Sequence, residues 1–296
     1  MTAVRAVAVA TATLWTGPQA PRPLDLAALG QPSKVREWTD QMTEPDRLDL
    51  HGRVESQALL GDVVVVDEEH DGWARVVLPA QPSSKDPRGY PGWLPTAQLI
   101  DWDRPTTTVA TVRTPTCTLY DSPGGVAVTV DLSFATALPT AGPLEDGWQA
   151  VHVPGRDDPA WLPESDVDPD PVAHPTPHEL LEAARQFAGL PYLWGGTCGL
   201  GFDCSGLVHA VFRRFGVTVP RDADDQAAAA PVRISAADVV TGDLLFFGFA
   251  GADIHHVGIA TGDRRMLHAA ETGRCVTEEA LPPHRLDTLV GAGRWA

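Results

Sequence analysis

The sequence has no long hydrophobic run and little basic charge. No apolar stretch approaches the roughly 20 residues that a membrane helix needs. The 22 lysine and arginine residues are outnumbered by 39 acidic residues, which gives a net charge of −17. Nucleic acids and anionic membranes bind basic surfaces, so neither is expected as a partner. The four cysteines have no C-x-x-C spacing and are too few for a disulfide scaffold, which leaves reduced thiols.

The first 15 residues allow two interpretations. Arg5 followed by small apolar residues is similar to a weak secretion signal, but the segment has no leucine-rich centre. Its valine and threonine content favours a β-strand that stays in the protein. We therefore predict a cytoplasmic protein, with secretion as the alternative.

An internal repeat organises the first half of the chain. Residues 71–99 and 146–167 each contain Asp-Gly-Trp, a short alternating strand, a proline-rich loop and Trp-Leu-Pro. Short strands broken by Gly, Pro and Asp are typical of small barrels or sandwiches. We predict two all-β domains at 1–102 and 106–168, the first with a helical insert near Lys34–Met42. One larger β-domain is the alternative.

The composition changes after a proline-rich linker at 169–177. Thr176 and Glu179 flank Pro177 in the pattern of an N-terminal capping box, and the apolar residues that follow have helical spacing up to Gly189. A glycine-rich stretch leads to a second helix that Gly216 ends, and strand patterns begin near residue 243. Helices followed by strands predict an α+β domain at 178–296.

Cys204 follows the glycine-rich loop and opens the second helix. Helix N-termini stabilise thiolates, the reactive form of cysteine. His256 and His268 lie on two predicted strands, and a tight turn centred on Gly262 would set them directly opposite each other. A thiol, a base and a group that orients the base form the usual set around an activated cysteine.

Other interpretations of these residues remain open at this point. Cys204 can be a small buried side chain beside two unrelated histidines, or the three can bind a metal, although no fourth ligand has convincing spacing. His255 is a rival base, but its alternation with Val257 and Ile259 favours a structural or solvent-facing residue.

Five sequence blocks follow one another in the last 120 residues: YLWGGTCGLGFDCSG (192–206), VPRDADDQ (219–226), GDLLFF (242–247), HHVGIA (255–260) and MLHAA (266–270). Together they resemble the NlpC/p60 cysteine peptidases. The resemblance implies a papain-like α+β fold with Cys204 as nucleophile, His256 as base and His268 as the orienting residue. It also implies the backbone amide of Cys204 as an oxyanion donor.

Two bacterial SH3-like domains before the peptidase domain are similar to the arrangement in γ-D-glutamyl-L-diamino acid endopeptidases of the dipeptidyl-peptidase VI type. The blocks RVESQALLGD (53–62) and GYPGWLP (89–95) carry this second resemblance. It implies that Glu55 and Tyr90 line a pocket for the substrate amine, with Asp203 facing the same ammonium group. Each has a structural alternative: Glu55 an exposed strand residue, Tyr90 packing on Trp93, and Asp203 a helix cap.

Further substrate contacts are expected from Tyr192, Ser205 and Arg221. Asp222 can also touch the substrate, or Arg221 and Asp222 can form a structural ion pair, and Ser205 can simply start the helix. Two positions depart from the family pattern: Ala223 stands where many relatives carry serine, and Cys198 stands where serine or threonine is usual.

The resemblance therefore implies hydrolysis of the γ-D-glutamyl–diamino acid bond in small murein peptides with a free N-terminal L-alanine, with no cofactor and no metal. The alternatives are a secreted wall-remodelling amidase, an acyltransferase on the same fold, and a wall-binding module with a dormant peptidase domain.

Overall fold

The computed structural model describes residues 3–169, 174–249 and 254–295. Within these residues, no helix combines the length and the apolar character that a membrane-spanning helix requires. The predicted linker at 169–177 falls partly outside the described residues.

The first third of the chain is an all-β unit with a helical insert. Its seven antiparallel strands have the order β3-β2-β6-β5-β4-β1-β7. The insert between β2 and β3 confirms the predicted helix near Lys34–Met42 and adds two short ones. The elements are β1 (Ala3–Val7), β2 (Thr11–Trp15), α1 (Leu26–Leu29), α2 (Val35–Gln41), α3 (Glu44–Leu48), β3 (Val54–Leu59), β4 (Val63–His70), β5 (Trp73–Leu78), β6 (Tyr90–Pro95) and β7 (Leu99–Ile100).

The second unit repeats the strand order of the first. Its order is β10-β9-β13-β12-β11-β8-β14, in which every strand number is seven higher than in the first sheet. The Asp-Gly turns before Trp73 and Trp148 also match, with left-handed backbone at Asp71 and Asp146. The internal repeat is thus confirmed as two all-β units. The strands are β8 (Val109–Val112), β9 (Thr116–Tyr120), β10 (Ala127–Ser133), β11 (Ala137–Glu145), β12 (Trp148–Val151), β13 (Ala160–Pro163) and β14 (Val167–Asp168).

The last part of the chain packs helices on an antiparallel sheet with the order β17-β22-β18-β19-β20-β21. Helix α5 lies on one face of this sheet, where Leu207 and Val211 share a core with Val257 and Ile259. The elements are α4 (Pro177–Arg185), β15 (Thr197–Cys198), β16 (Gly201–Phe202), α5 (Cys204–Arg214), α6 (Ala223–Ala229), β17 (Val232–Ile234), β18 (Leu244–Gly248), β19 (Ile254–Gly262), β20 (Arg265–Ala269), β21 (Val276–Ala280), α7 (Pro283–Leu286) and β22 (Leu289–Arg294).

Local sequence signals set several of these boundaries. The Thr176 hydroxyl accepts from the backbone N–H of Glu179, whose carboxylate accepts from the N–H of Thr176, so the predicted capping box is present. Gly216 has φ +73° just beyond the end of α5. The domain limits at 102, 106, 168 and 177 stay our proposal.

Strand β3 of the first unit docks on the glycine-rich loop before α5. The backbone N–H of Thr197 donates to Gln57 Oε1 at 3.0 Å, and the Thr197 hydroxyl donates to Gln57 O at 3.1 Å. Gly195 has φ +73°, and a Cβ there would lie 2.4 Å from Val54. Only glycine allows this approach, which brings Glu55 of β3 next to the start of α5.

Candidate active site

Cys204 is the first residue of α5 and is capped by Asp203. The Asp203 carboxylate accepts from the backbone N–H of Gly206 at 2.7 Å, which confirms the helix-cap alternative for this residue. Cys204 as a residue is 9% exposed. Burial raises the pKa of Cys204 to about 12, with a further rise from the Asp203 charge, while hydrogen bonds with the backbones of Val257 and Ser205 act against it. The resting group is therefore the neutral thiol, which needs a base to react.

A chain of hydrogen bonds runs through the two predicted histidines to a carboxylate. Nε2 of His256 lies 2.7 Å from Nδ1 of His268, and Nε2 of His268 lies 3.2 Å from a carboxylate oxygen of Glu279. A carboxylate can only accept, so His268 carries its proton on Nε2 and accepts at Nδ1. His256 then donates from Nε2, which makes its Nδ1 the basic atom.

Burial keeps this histidine pair neutral. It lowers the pKa of His256 well below its usual value, and the nearby Arg285 charge lowers it further. It also lowers the pKa of His268 to about 4, against which the Glu279 carboxylate acts. A neutral His256 is ready to accept a proton, as a general base must be.

The two histidines meet, but not in the predicted register. Ile259 pairs with Leu267 and Ala260 with Met266, so His268 lies level with Gly258, two residues away from His256 along β19. The prediction of directly opposed residues is wrong because the turn is Asp263-Arg264 rather than Gly262, as their φ values of 48° and 55° show. A shift of two residues keeps both rings on one face, so the contact survives as a diagonal pair.

His255 lies in the wall of the cleft that holds Cys204, whereas His256 is 4% exposed behind it. The ring of His255 stacks on Phe249, with centroids 5.0 Å apart. His255 is exposed, which confirms the prediction of a solvent-facing residue, and it also borders the cleft. Val257, the residue after His256, contacts the thiol through its backbone.

The cleft at Cys204 has a volume of about 350 Å³. It is bounded by the first β unit on one side and by the α+β domain on the other. The lining residues are Val54, Glu55, Lys85, Tyr90, Tyr192, Trp194, Asp203, Cys204, Ser205, Asp222, Ala223, Asp224, Ile254 and His255. A larger groove of about 810 Å³ lies between the two β units, but it contains none of the predicted catalytic residues and lies apart from the thiol.

Carboxylate and phenol oxygens lie close together in one corner of the cleft. The Tyr90 hydroxyl lies 3.0 Å and 3.2 Å from the two carboxylate oxygens of Asp222 and 3.4 Å from Glu55. Lys85 Nζ donates to Glu55 at 2.7 Å and to the Tyr90 hydroxyl at 2.5 Å. Burial raises the pKa of Asp222, and the charges of Arg221 and Lys85 lower it in part. We name Glu55, Tyr90 and Asp222 the amine corner.

Asp203 lines the cleft, but its oxygens already have several partners. Arg221 donates to both of them, at 3.0 Å and 2.6 Å, and the Gly195 N–H donates to one at 2.9 Å. Arg221 also donates to the hydroxyls of Ser56 and Ser205. Arg221 is 1% exposed and does not line the cleft, so its predicted role as a substrate contact is corrected to that of a support for Asp203. Its close ion pair is with Asp203, while Asp222 lies 3.8 Å away.

Two aromatic residues form the remaining wall. Tyr192 is 6% exposed and lines the cleft, and burial raises the pKa of its hydroxyl. The Trp194 ring stacks on His51 with centroids 3.9 Å apart, and its N–H donates to Val54 O of the first β unit. Ser205 also lines the cleft, where its hydroxyl donates to Asp203 and accepts from Arg221, and its contact with substrate stays a prediction. Ala223 leaves that part of the wall without a hydroxyl.

Sequence reasoning missed two charged residues at this site. Lys85 comes from the loop between β5 and β6, and Glu279 comes from β21. Asp222 was considered both as an ion-pair partner of Arg221 and as a substrate contact, and it lines the cleft. One signal was available for Lys85, because the chain has only two lysines, Lys34 and Lys85. Nothing in the sequence pairs Glu279 with His268.

Metal ligation by the Cys-His-His set finds no support among the described residues. The one group there whose ligand atoms lie close enough together for a metal ion is Asp222, Asp224 and Asp225. It is part of an acidic rim that solvent reaches.

The chain is similar to known proteins over most of its length. Residues 189–292 match the NlpC/P60 family. The chain is 38% identical over 274 residues to a Bacillus subtilis protein named gamma-D-glutamyl-L-lysine dipeptidyl-peptidase, with 90% of each chain covered. It is 32% identical to a Bacillus cereus protein of the same name, covering 97% of this chain and 89% of that one.

A solved structure extends the similarity to the whole fold. The crystal structure of an NlpC/P60 family protein from Bacillus cereus superposes with a TM-score of 0.92 and 32% identity, covering 99% of both chains. The agreement thus includes both β units as well as the domain with Cys204. The chain belongs to the NlpC/P60 family.

Proposed function

We propose that this protein is a cysteine peptidase that hydrolyses the γ-D-glutamyl–diamino acid bond of murein peptides with a free N-terminal L-alanine, releasing L-Ala-D-Glu. The observation that carries this proposal is the amine corner in the same closed cleft as Cys204. An ammonium group that leaves water needs a carboxylate partner and further hydrogen-bond acceptors, and this corner supplies two carboxylates and a phenol.

The reaction follows from the proton positions. Nδ1 of His256 takes the thiol proton of Cys204, and the sulfur attacks the γ-carbonyl carbon of D-glutamate. The carbonyl oxygen becomes an oxyanion near the backbone N–H of Cys204 at the start of α5. His256 then gives the proton to the departing amine of the diamino acid. It next activates a water molecule, which hydrolyses the thioester and frees the thiol.

The small cleft supports a short substrate. About 350 Å³ admits a dipeptide beside the thiol, and the first β unit closes the side behind the amine corner. A peptide whose N-terminus is still attached to a glycan strand has no free ammonium group and would not fit this site. We therefore infer that the substrates are released murein peptides and that the protein acts in the cytoplasm.

The test is mass spectrometry of L-Ala-γ-D-Glu-L-Lys and of the matching diaminopimelate peptide after incubation with the protein. We expect the wild type to release L-Ala-D-Glu, and we expect Cys204→Ala and N-acetylated peptide to abolish release. His256→Ala should lose activity, while His255→Ala should keep most of it. Equal cleavage of acetylated peptide would contradict the amine corner, and no cleavage of either free peptide would contradict the proposed activity.

A further inference from the structure

Lys85 fills the amine corner with an amine of its own. Its Nζ lies 2.7 Å from Glu55, 2.5 Å from the Tyr90 hydroxyl and 3.6 Å from Asp222. A lysine ammonium has three N–H donors, and three acceptor groups surround this one. The N-terminal ammonium of a peptide has the same charge and the same number of donors. The two groups would therefore compete for the same oxygens.

Both ammonium groups cannot use the corner at once. Two ammonium groups bound to the same acceptors would repel each other. The oxygens that accept hydrogen bonds from one ammonium group would no longer be available to the other. No other lysine can take this place, because Lys34 makes its ion pair with Glu37 on an exposed surface. In the free protein, the amine corner is thus occupied by Lys85, a side chain of the protein itself.

The backbone that carries Lys85 is fixed, while its side chain is free enough to leave. The Ser84 N–H donates to Asp225 at 2.8 Å, and the N–H of Arg221 donates to Pro82 O at 3.1 Å. Both bonds tie the loop between β5 and β6 to the peptidase domain. The Lys85 side chain itself is 41% exposed. Ion pairs with this exposure are weak, so the ammonium can turn towards solvent without moving the loop.

We propose that Lys85 is a tethered competitor that occupies the amine corner in the free enzyme and vacates it when the N-terminal ammonium of the substrate binds. This inference rests on the proposed function, because it takes the amine corner as the substrate site. Lys85 keeps Glu55 and Asp222 neutralised between turnovers. Binding thus requires a group that replaces all the contacts of Lys85, which selects peptides with a free amine.

Kinetics of Lys85→Met test the competition. Methionine keeps an unbranched side chain and removes the charge, so a free-amine peptide no longer has to displace anything. We expect KM for the free tripeptide to fall about two- to fivefold, the equivalent of a partly exposed ion pair, with the change in KM rather than in kcat. Lys85→Arg keeps the positive charge, so it should not lower KM as Lys85→Met does. Lys34→Met, on an exposed surface, should leave both constants unchanged. An unchanged or higher KM for Lys85→Met would overturn the proposal.

A second measurement follows the side chain directly. Only two lysines occur, so NMR of protein labelled with ¹⁵N at the lysine Nζ gives two side-chain signals to assign by the variants above. Adding the dipeptide L-Ala-D-Glu should move the Lys85 signal towards that of free lysine and leave Lys34 in place. Binding of the dipeptide with no change at Lys85 would contradict the inference while leaving the activity intact. Loss of cleavage by wild type would instead contradict the proposed function and this inference with it.

Discussion

In the proposed reaction, Cys204 depends on three hydrogen-bonded side chains from three neighbouring strands. His256 lies on β19, His268 on β20 and Glu279 on β21. The carboxylate at the end fixes the tautomer of His268, which in turn fixes that of His256. Glu279 does not touch the thiol, so it is a positioning residue. Without it, His268 can rotate or change tautomer, and His256 loses its fixed orientation.

We expect Glu279→Ala to lower kcat roughly tenfold with little change in KM, because a general base contributes a factor of about 10² to 10⁴ and only part of that depends on orientation. Glu279→Gln should recover much of the loss, since its amide oxygen still accepts from His268 Nε2. Glu278→Ala is the matched control, because Glu278 pairs with Arg185 instead. Steady-state kinetics on the tripeptide separate these outcomes. Equal losses in the two alanine variants would show a general effect of removing charge from β21.

Candidate site residues that lie in recognisable sequence motifs were predicted from the sequence. Residues that only the fold brings to the site were not. Cys204 and the two histidines sit in short blocks with characteristic neighbours, and Glu55 and Tyr90 sit in similar blocks of the first β unit. Lys85 and Glu279 have no such context. Each acts through a contact with a residue distant in sequence or on a neighbouring strand, and a single sequence does not reveal such contacts.

At the scale of elements, the hairpin of β19 and β20 shows how a small error in the predicted position of a turn changes the predicted pairing of the whole hairpin. The sequence predicts the turn at Gly262 because glycine readily adopts positive φ. The chain instead turns at Asp263-Arg264, both left-handed, and Gly262 pairs with Arg265 across the strands. This two-residue loop has the type I′ geometry that suits the twist of hairpins. The capping box and the Asp-Gly repeats were predicted correctly because their partners are only a few residues apart.

The turn provides a test of this geometry. Arg264 has φ +55°, which is strained for a residue with a Cβ, so Arg264→Gly should raise the free energy of unfolding by about 0.5–1 kcal/mol. Activity should not change, because the turn lies at the end of the hairpin away from the cleft. Arg265→Gly, one residue later in regular strand β20, should lower stability by a similar amount. Urea unfolding measures both variants, and a loss of stability in Arg264→Gly would contradict the turn assignment.

The whole molecule builds its cleft from two units that are distant in sequence. Glu55, Lys85 and Tyr90 come from the first β unit, while Tyr192, Cys204 and Asp222 come from the peptidase domain. The contact depends on Gly195, which lets β3 approach the loop before α5. The fold class of each unit was predictable from local pattern and family blocks. Their mutual arrangement was not, because it rests on backbone approach and on buried bonds such as Arg221 to Ser56.

The interior also holds three neutral histidines, which makes the stability of the molecule depend on pH. Burial lowers the pKa of His209 to about 3, as it lowers the pKa values of His256 and His268. In the unfolded chain, histidine titrates near 6.5. Between about pH 6.5 and 4 the unfolded chain therefore binds protons that the folded protein does not. The stabilisation is complete above pH 6.5 and is lost as the pH falls through this window.

We expect the free energy of unfolding to fall steadily from pH 7 to pH 4.5, at up to about 1.4 kcal/mol per pH unit for each buried histidine. The carboxylates whose pKa values are lowered by their partners, such as Asp86 at about 2, titrate mainly at lower pH and contribute little here. His209→Asn can still donate to the carbonyl of Val219 but does not titrate, so it should reduce the slope by nearly one proton. Urea titrations at four pH values would measure the slope of the unfolding free energy against pH. A free energy that does not change with pH would mean that these histidines are protonated in the folded protein.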